Sequence, residues 1–308
     1  MPRVMLLDSA SLYFRAFYGV PESVTAPNGM PVNAVRGFCD MVSSLITRFS
    51  PTDLVACLDY DWRPAWRVEL LPSYKAHRVA VPQPAGEPDV ENVPDLLEPQ
   101  VPVLLKVLEA AGLCAVGAEG FEADDVIATL AGRYAAAGAA VDVVSGDRDL
   151  IDLATDRVRV IYTGKGMSKL VEFTPDEVTA QYGIPAGHYA DFAILRGDPS
   201  DGLPGVPGVG VKTAALVVSK YGRIEEILAA ARSGVLSGPV RSKILAAADY
   251  LAVAPAVVRG CTDVEIPSLQ SAVPATPADP ELLAAVAETF GLESPVERLT
   301  KAIASVHG

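Results

Sequence analysis

An α/β fold on a mostly parallel sheet is what this sequence predicts, from two observations: strand-like apolar runs that each stop at an aspartate, and helical stretches between them. The runs are Val4-Met5-Leu6-Leu7-Asp8, Leu54-Val55-Ala56-Cys57-Leu58-Asp59 and Val141-Asp142-Val143-Val144-Ser145-Gly146-Asp147. None alternates strictly between apolar and polar residues, which suits strands buried on both faces of a doubly wound sheet. The helices are read at Ala34 to Arg48, Val101 to Ala111 and Ala123 to Ala137. Ligands of such sheets bind beyond the carboxyl ends of the strands, so Asp8, Asp59 and Asp147 are expected to converge on one crevice.

The 308 residues are half hydrophobic and one-fifth charged, enough for a sizeable core and about two domains. Asp8 cuts the first apolar run short, and no run approaches the ~18 apolar residues of a membrane span. A soluble, cytosolic chain without a signal peptide is expected. Cys39, Cys57, Cys114 and Cys261 lie far apart in apolar settings and read as buried free thiols, while the scattered His77, His188 and His307 argue against a zinc enzyme. A net charge of −13 argues against a protein that coats nucleic acid. That objection weakens because many acids sit where metal ions could neutralise them, with the basic residues clustered elsewhere.

Asp61 to Gln100 is too long for an ordinary connection and is read as a mobile, partly helical arm over the active site, most flexible from Val81 to Asn92. Composition shifts near Phe173, giving an α/β domain over 1–172 and a helical domain over 173–308. In the latter, helices at Glu177 to Tyr182, Tyr189 to Arg196 and Lys212 to Tyr221 flank a Gly/Pro-rich turn, Gly197 to Gly210. Gly260 to Pro280 reads as a loose connector before terminal helices at Pro280 to Phe290 and Ser294 to Ser305.

Beyond the strand-end aspartates, Glu122-Ala123-Asp124-Asp125 opens a helix, where Glu122 and Asp125 can share a face. Asp147 and Asp149 stand two apart past a strand, and Asp198 and Asp201 three apart in a turn. Each group alone suits a helix cap or a turn equally well. Together, eight aspartates and one glutamate at one sheet edge would repel strongly without cations among them. Oxygen ligands without His or Cys select Mg²⁺ or Mn²⁺, and two such ions can drive phosphodiester hydrolysis.

The arm carries Arg63, Arg67, Tyr74, Lys75, His77 and Arg78 interleaved with Trp62 and Trp66, suiting a scissile phosphate and unpaired bases. The alternative is a solvated basic loop over two packed tryptophans. Gly205-Val206-Pro207-Gly208-Val209-Gly210-Val211-Lys212 brings amides to a helix N-terminus. Val211 excludes a Walker A loop, and Lys212, Lys220 and Arg223 nearby favour a grip on a duplex backbone over a purely structural turn.

With these residues in hand, the chain resembles the 5′-nuclease domain of bacterial DNA polymerase I and the related flap endonucleases over nearly its whole length. Asp8 with Leu12, Tyr13, Arg15 and Ala16 is similar to the family's opening motif, with Ser9 in place of the usual glycine. Leu58-Asp59 replaces the usual Phe-Asp, and Trp66-Arg67 through Tyr74-Lys75-Ala76-His77-Arg78 resembles the helical-arch motif. Gly120 to Asp125 and Val144 to Asp149 match the central metal-binding motifs, and Asp198 to Asp201 leads into the helix-three-turn-helix, about 189–222.

The resemblance implies a PIN-like domain with an arch at about 61–100 that threads or clamps the 5′ strand. It implies Asp125, Asp147, Asp149, Asp198 and Asp201 as principal metal ligands, with Asp8, Asp59, Glu122 and Asp124 acting directly or through water. Lys75 and Arg78 would contact the scissile phosphate and Arg15 would help place it. Arg67, Tyr74, Gly205, Gly208, Gly210 and Lys212 would contact DNA, with K⁺ at the helix-three-turn-helix. Implied too are DNA with 5′ flaps, nicks or free 5′ ends as partner, a monomer at the nucleoid, and a place in replication or excision repair.

The expected chemistry is in-line attack by metal-bound hydroxide, one ion activating the water and the other the leaving group. A non-catalytic binder of branched DNA is the rival, although no acid of the family pattern is missing. An aspartyl-phosphate phosphatase would need an acid two residues past Asp8, where Ala10 stands.

Overall fold

The computed structural model describes residues 2–81 and 89–307. In chain order the first elements are β1 (Arg3–Asp8), α1 (Ser9–Gly19), α2 (Asn33–Phe49), β2 (Asp53–Cys57), α3 (Ala65–Leu70), β3 (Val79–Val81), β4 (Val90–Glu91), α4 (Gln100–Ala111), β5 (Cys114–Val116), α5 (Ala123–Ala136) and β6 (Ala140–Ser145). There follow β7 (Val158–Tyr162), β8 (Val171–Phe173), α6 (Pro175–Tyr182), α7 (Tyr189–Arg196), α8 (Val211–Tyr221), α9 (Ile224–Ser233), α10 (Gly238–Ala246), α11 (Ala248–Val258), α12 (Pro280–Phe290) and α13 (Glu293–Ala304).

The main sheet runs β5-β2-β1-β6-β7-β8, parallel except for the β7–β8 pair. β1 lies near its middle and shows why the apolar run does not alternate. Its Met5 and Leu7 pack into a core with α2 and α4, whereas Val4 and Leu6 face the opposite way into a core with α5 and the helices that follow β8. Both faces are covered, so both sets of side chains are apolar.

Register pairs Asp8 with Cys57 and Leu7 with Val144, so the three strands end level and their aspartates emerge at one edge. Asp8 closes β1 and caps α1, its Oδ1 accepting from the Ser11 amide at 3.0 Å. The helices past β8 do not form one separate body. α6 to α11 pack on the α5 side, while Leu283, Val286, Leu299 and Ile303 of α12 and α13 return to the other core, against α2 and α4.

The arm is partly helical. It comprises the short α3, a 3-10 turn at Ala76–Arg78 and the antiparallel pair β3–β4. The stretch expected to be most flexible falls largely on residues 82–88, outside those described. Cys39 and Cys57 are buried as expected, but Cys114 and Cys261 are only partly so. Among the described residues, no helix is long and apolar enough to cross a membrane.

Candidate active site

A cleft of about 560 Å³ opens at the carboxyl edge of the sheet, and Asp8, Asp59, Glu122, Asp124, Asp147 and Asp198 line it. Strand ends fix the first acids. Asp8 Oδ2 accepts from Ser145 Oγ at 2.5 Å, Ser145 Oγ accepts from the Asp147 amide at 2.8 Å, and Asp147 Oδ1 accepts from the Asp149 amide at 3.0 Å. Asp59 Oδ1 accepts from the Ala123 amide at 2.6 Å, which ties the end of β2 to the start of α5.

Crowding shows in the proton affinities. Burial, then Asp59 and Asp147, push the Asp8 carboxyl up to about 7. Burial, then Asp8 and Asp147, hold Asp124 well above the usual range, and burial, then Asp147 and Asp201, do so for Asp149. Asp147 is raised by burial and by Asp201. Asp149 and Asp201 thus belong to the same electrostatic cluster as the cleft-lining acids. The donor set is all oxygen, which fits hard divalent cations. Among the described residues, however, no three acids close on one point as a ready cage.

A pH linkage follows. Asp8 holds its proton up to about 7 when folded against an ordinary 3.8, so between these values the folded chain binds more protons than the unfolded one. This contribution to metal-free stability is therefore complete below 3.8 and lost as pH rises through about 7. Divalent ions bind the ionised acids, so Mg²⁺ is expected to raise the melting temperature more at about pH 8 than at about pH 5.5. Melting curves with Mg²⁺ and with EDTA at both pH values check this, and equal increments would refute it.

Basic residues share the cleft rather than clustering elsewhere. Lys75 pairs with Glu122, its amide donates to the Asp201 carbonyl at 3.0 Å, and its backbone is left-handed at φ 48°. Arg78 donates to the Ser200 carbonyl at 2.7 Å and to Asp201 Oδ1 at 3.0 Å. Arg15 lines the cleft without a carboxylate partner among the described residues.

Three expectations are corrected. Arg67 is 2% exposed, its fork donating to Asp125 at 2.7 and 3.0 Å and to Glu122 at 2.8 Å. Tyr74 is 5% exposed, its hydroxyl donating to Glu122 at 2.7 Å. Asp125 is 0% exposed and turned from the cleft, its oxygens also accepting from the amides of Glu122 and Cys261. These residues brace the site from behind.

The glycine turn lies between α7 and α8, with Gly208, Gly210 and Lys212 exposed, but Gly205, expected to contact DNA with them, is buried. Gly205 has φ +69°, and a Cβ there would stand 2.5 Å from the Gly197 nitrogen. A Gly205→Ala variant is expected to lose about 1–3 kcal/mol of stability, read by urea denaturation. An unchanged midpoint would show that the turn tolerates a side chain. Sequence reading missed Ser11, Ser145 and Ser200, which orient the acids. It also left Arg148, Arg196 and Tyr162 without a role, although all three line the cleft. No local pattern marks them.

A carboxylate cleft edged by cations, at the carboxyl ends of a mostly parallel sheet, defines a phosphoryl-transfer enzyme class. The descriptions that match are "5′-3′ exonuclease, N-terminal resolvase-like domain" over residues 3–183 and "5′-3′ exonuclease, C-terminal SAM fold" over residues 184–281. The chain belongs to the 5′-3′ exonuclease family. It is 51% identical over 316 residues to a 5′-3′ exonuclease of Mycobacterium tuberculosis, covering 99% of each chain. To one of Streptomyces coelicolor it is 52% identical over 299 residues, covering 96% of this chain and 98% of that one. A DNA polymerase I of Mycobacterium tuberculosis is 43% identical over 228 residues, 74% of this chain and 24% of that one. The fold is shared with phage T5 5′-exonuclease bound to zinc, at TM-score 0.64, 17% identity and 99% and 100% coverage. It is shared also with the catalytic core of Rad2 in complex with DNA, at TM-score 0.61, 16% identity and 99% and 92% coverage.

Proposed function

We propose that this chain hydrolyses DNA phosphodiester bonds near free 5′ ends and branch junctions, as a monomer at the nucleoid. The observation that carries the reading is the cleft at the carboxyl edge of the sheet, where Asp8, Asp59, Asp124, Asp147 and Asp198 stand among Arg15, Lys75 and Arg78. Asp8, Asp59, Asp124, Asp147, Asp149, Asp198 and Asp201 would hold Mg²⁺ or Mn²⁺, with Glu122, whose oxygens already accept from Arg67, Tyr74 and Lys75, acting only through water. Bound there, such ions would activate water at neutral pH and stabilise charge on the departing oxygen.

The protein's own groups do the rest. Lys75 and Arg78 bring positive charge to the phosphate entering between arch and sheet, where charge grows in the transition state. Arg15 places that phosphate from α1. The exposed amides at Gly208 and Gly210, with Lys212, grip the duplex backbone without reading sequence. K⁺ held by carbonyls of that turn would compete with the Lys243 ammonium, which donates to the Gly208 carbonyl at 2.8 Å.

The test is cleavage of a 5′-labelled flap duplex, a blunt duplex and a single strand, each with Mg²⁺, Mn²⁺ or EDTA. Products at the flap junction that vanish with EDTA are expected, and stepwise loss from a blunt 5′ end would shift the balance to exonuclease. Tight flap binding without product under any metal would favour the non-catalytic binder.

A further inference from the structure

Among the described residues, the cations lining the cleft fall into two sets. Lys75, Arg78 and Arg196 are committed to Glu122, Asp201 and Asp198. Arg15 and Arg148 have no carboxylate partner, and Arg148 has no role in the reading above.

Arg148 stands between Asp147 and Asp149 in sequence, yet its exposed guanidinium leaves both to the acid cluster. It lies 5.9 Å from the centre of the Tyr162 ring, and its Nε donates to the Tyr162 hydroxyl at 3.4 Å. Tyr162 in turn packs against Gly164, where a Cβ would stand 2.0 Å from the ring. Beyond it, Phe173, Tyr182 and Phe192 continue an aromatic column at centroid spacings of 5.9 to 6.1 Å. Arg196 closes the far end, 5.3 Å over Phe192. An arginine held this way has given up part of its side-chain freedom without spending its charge on an acid.

We propose that Arg148 binds a DNA phosphate next to the scissile one, on the cleft wall that the Tyr162 column supports. This rests on the nuclease reading. A planar guanidinium beside an acid cluster matches a phosphodiester's paired oxygens and offsets the repulsion between the substrate backbone and the neighbouring carboxylates. It is a substrate-binding residue, distinct from the acids beside it.

The experiment uses the full chain with saturating Mg²⁺ on a 5′-flap duplex, measuring kcat, KM and the salt dependence of kcat/KM for the native protein, Arg148→Ala and Arg148→Lys. For Arg148→Ala, KM is expected to rise about tenfold and the salt slope to fall by about one, with kcat falling less than about threefold. Arg148→Lys should recover most of the slope and part of the KM. Mg²⁺ binding, followed by titration calorimetry without DNA, should keep its midpoint in both variants. Unchanged KM and slope in Arg148→Ala, with the native chain cleaving normally, would overturn this assignment alone. A displaced Mg²⁺ midpoint with an unchanged slope would overturn it too, by making Arg148 a support for Asp147 and Asp149. A native chain that neither binds nor cleaves the flap would overturn the nuclease reading and this assignment with it.

Discussion

An Asp147→Asn variant is expected to lose cleavage by about 10²–10³-fold or more while folding as well as the native chain. Asp147 stands where β6 delivers it, in the cleft with Asp8, and it raises the proton affinities of Asp8, Asp124 and Asp149. Its removal takes one charge out of the cluster that would hold the cations. The local structure should survive, because the asparagine keeps the oxygen that accepts from the Asp149 amide and Ser145 still accepts from the residue's own amide. Removing a like charge from a crowded set should even raise the melting temperature in EDTA at about pH 8, a stability gained at the expense of function. Product formation and melting temperature are therefore expected to move in opposite directions. Full activity in the variant would remove Asp147 from the metal cluster, and a large fall in melting temperature would mean that its role is structural.

Much of this site was legible because the sheet edge is written in the sequence. Three apolar runs ending in aspartate are hard to bury any other way, and their register does bring Asp8, Asp59 and Asp147 to one edge. β7 was not legible, since Arg159 sits in its middle. That charge is tolerated because its guanidinium pairs with Asp142 at 2.7 Å and stacks 5.0 Å over Phe49, partners set by tertiary packing. The short β5 and β8 carry too few residues to show a period. At the start of α5, helical spacing correctly suggested that Glu122 and Asp125 share a face. What spacing cannot tell is which way that face points. Asp124 turns toward the cleft, while Asp125 reaches back to the Glu122 amide at 3.1 Å and meets an arginine from the arm. Arg67 was assigned to DNA because Trp66-Arg67 resembles the start of the helical-arch motif. Its burial depends on two carboxylates more than fifty residues away.

That burial makes Arg67→Met the variant with the largest expected effect on stability, a loss of about 3–5 kcal/mol. In the native chain the guanidinium satisfies both oxygens of Asp125 and one of Glu122, and it lies 4.6 Å over the Trp66 ring. Methionine fills a similar volume but leaves Asp125 buried without a counter-charge, with only the amides of Glu122 and Cys261 as donors. Glu122 suffers less, because Lys75 and the Tyr74 hydroxyl still reach it. The cost should therefore follow Asp125. Pairing Arg67→Met with Asp125→Asn is expected to recover part of the loss, since the second change removes the stranded charge. Arg67→Lys should fall between, its single ammonium being unable to match the two-oxygen fork. Urea denaturation of the three variants measures each of these, with DNA cleavage and KM recorded alongside. If Arg67→Met kept the native midpoint and raised KM instead, Arg67 would have to leave its buried pocket to meet the substrate. The arm would then open much further than its docking on Asp201 and Glu122 implies.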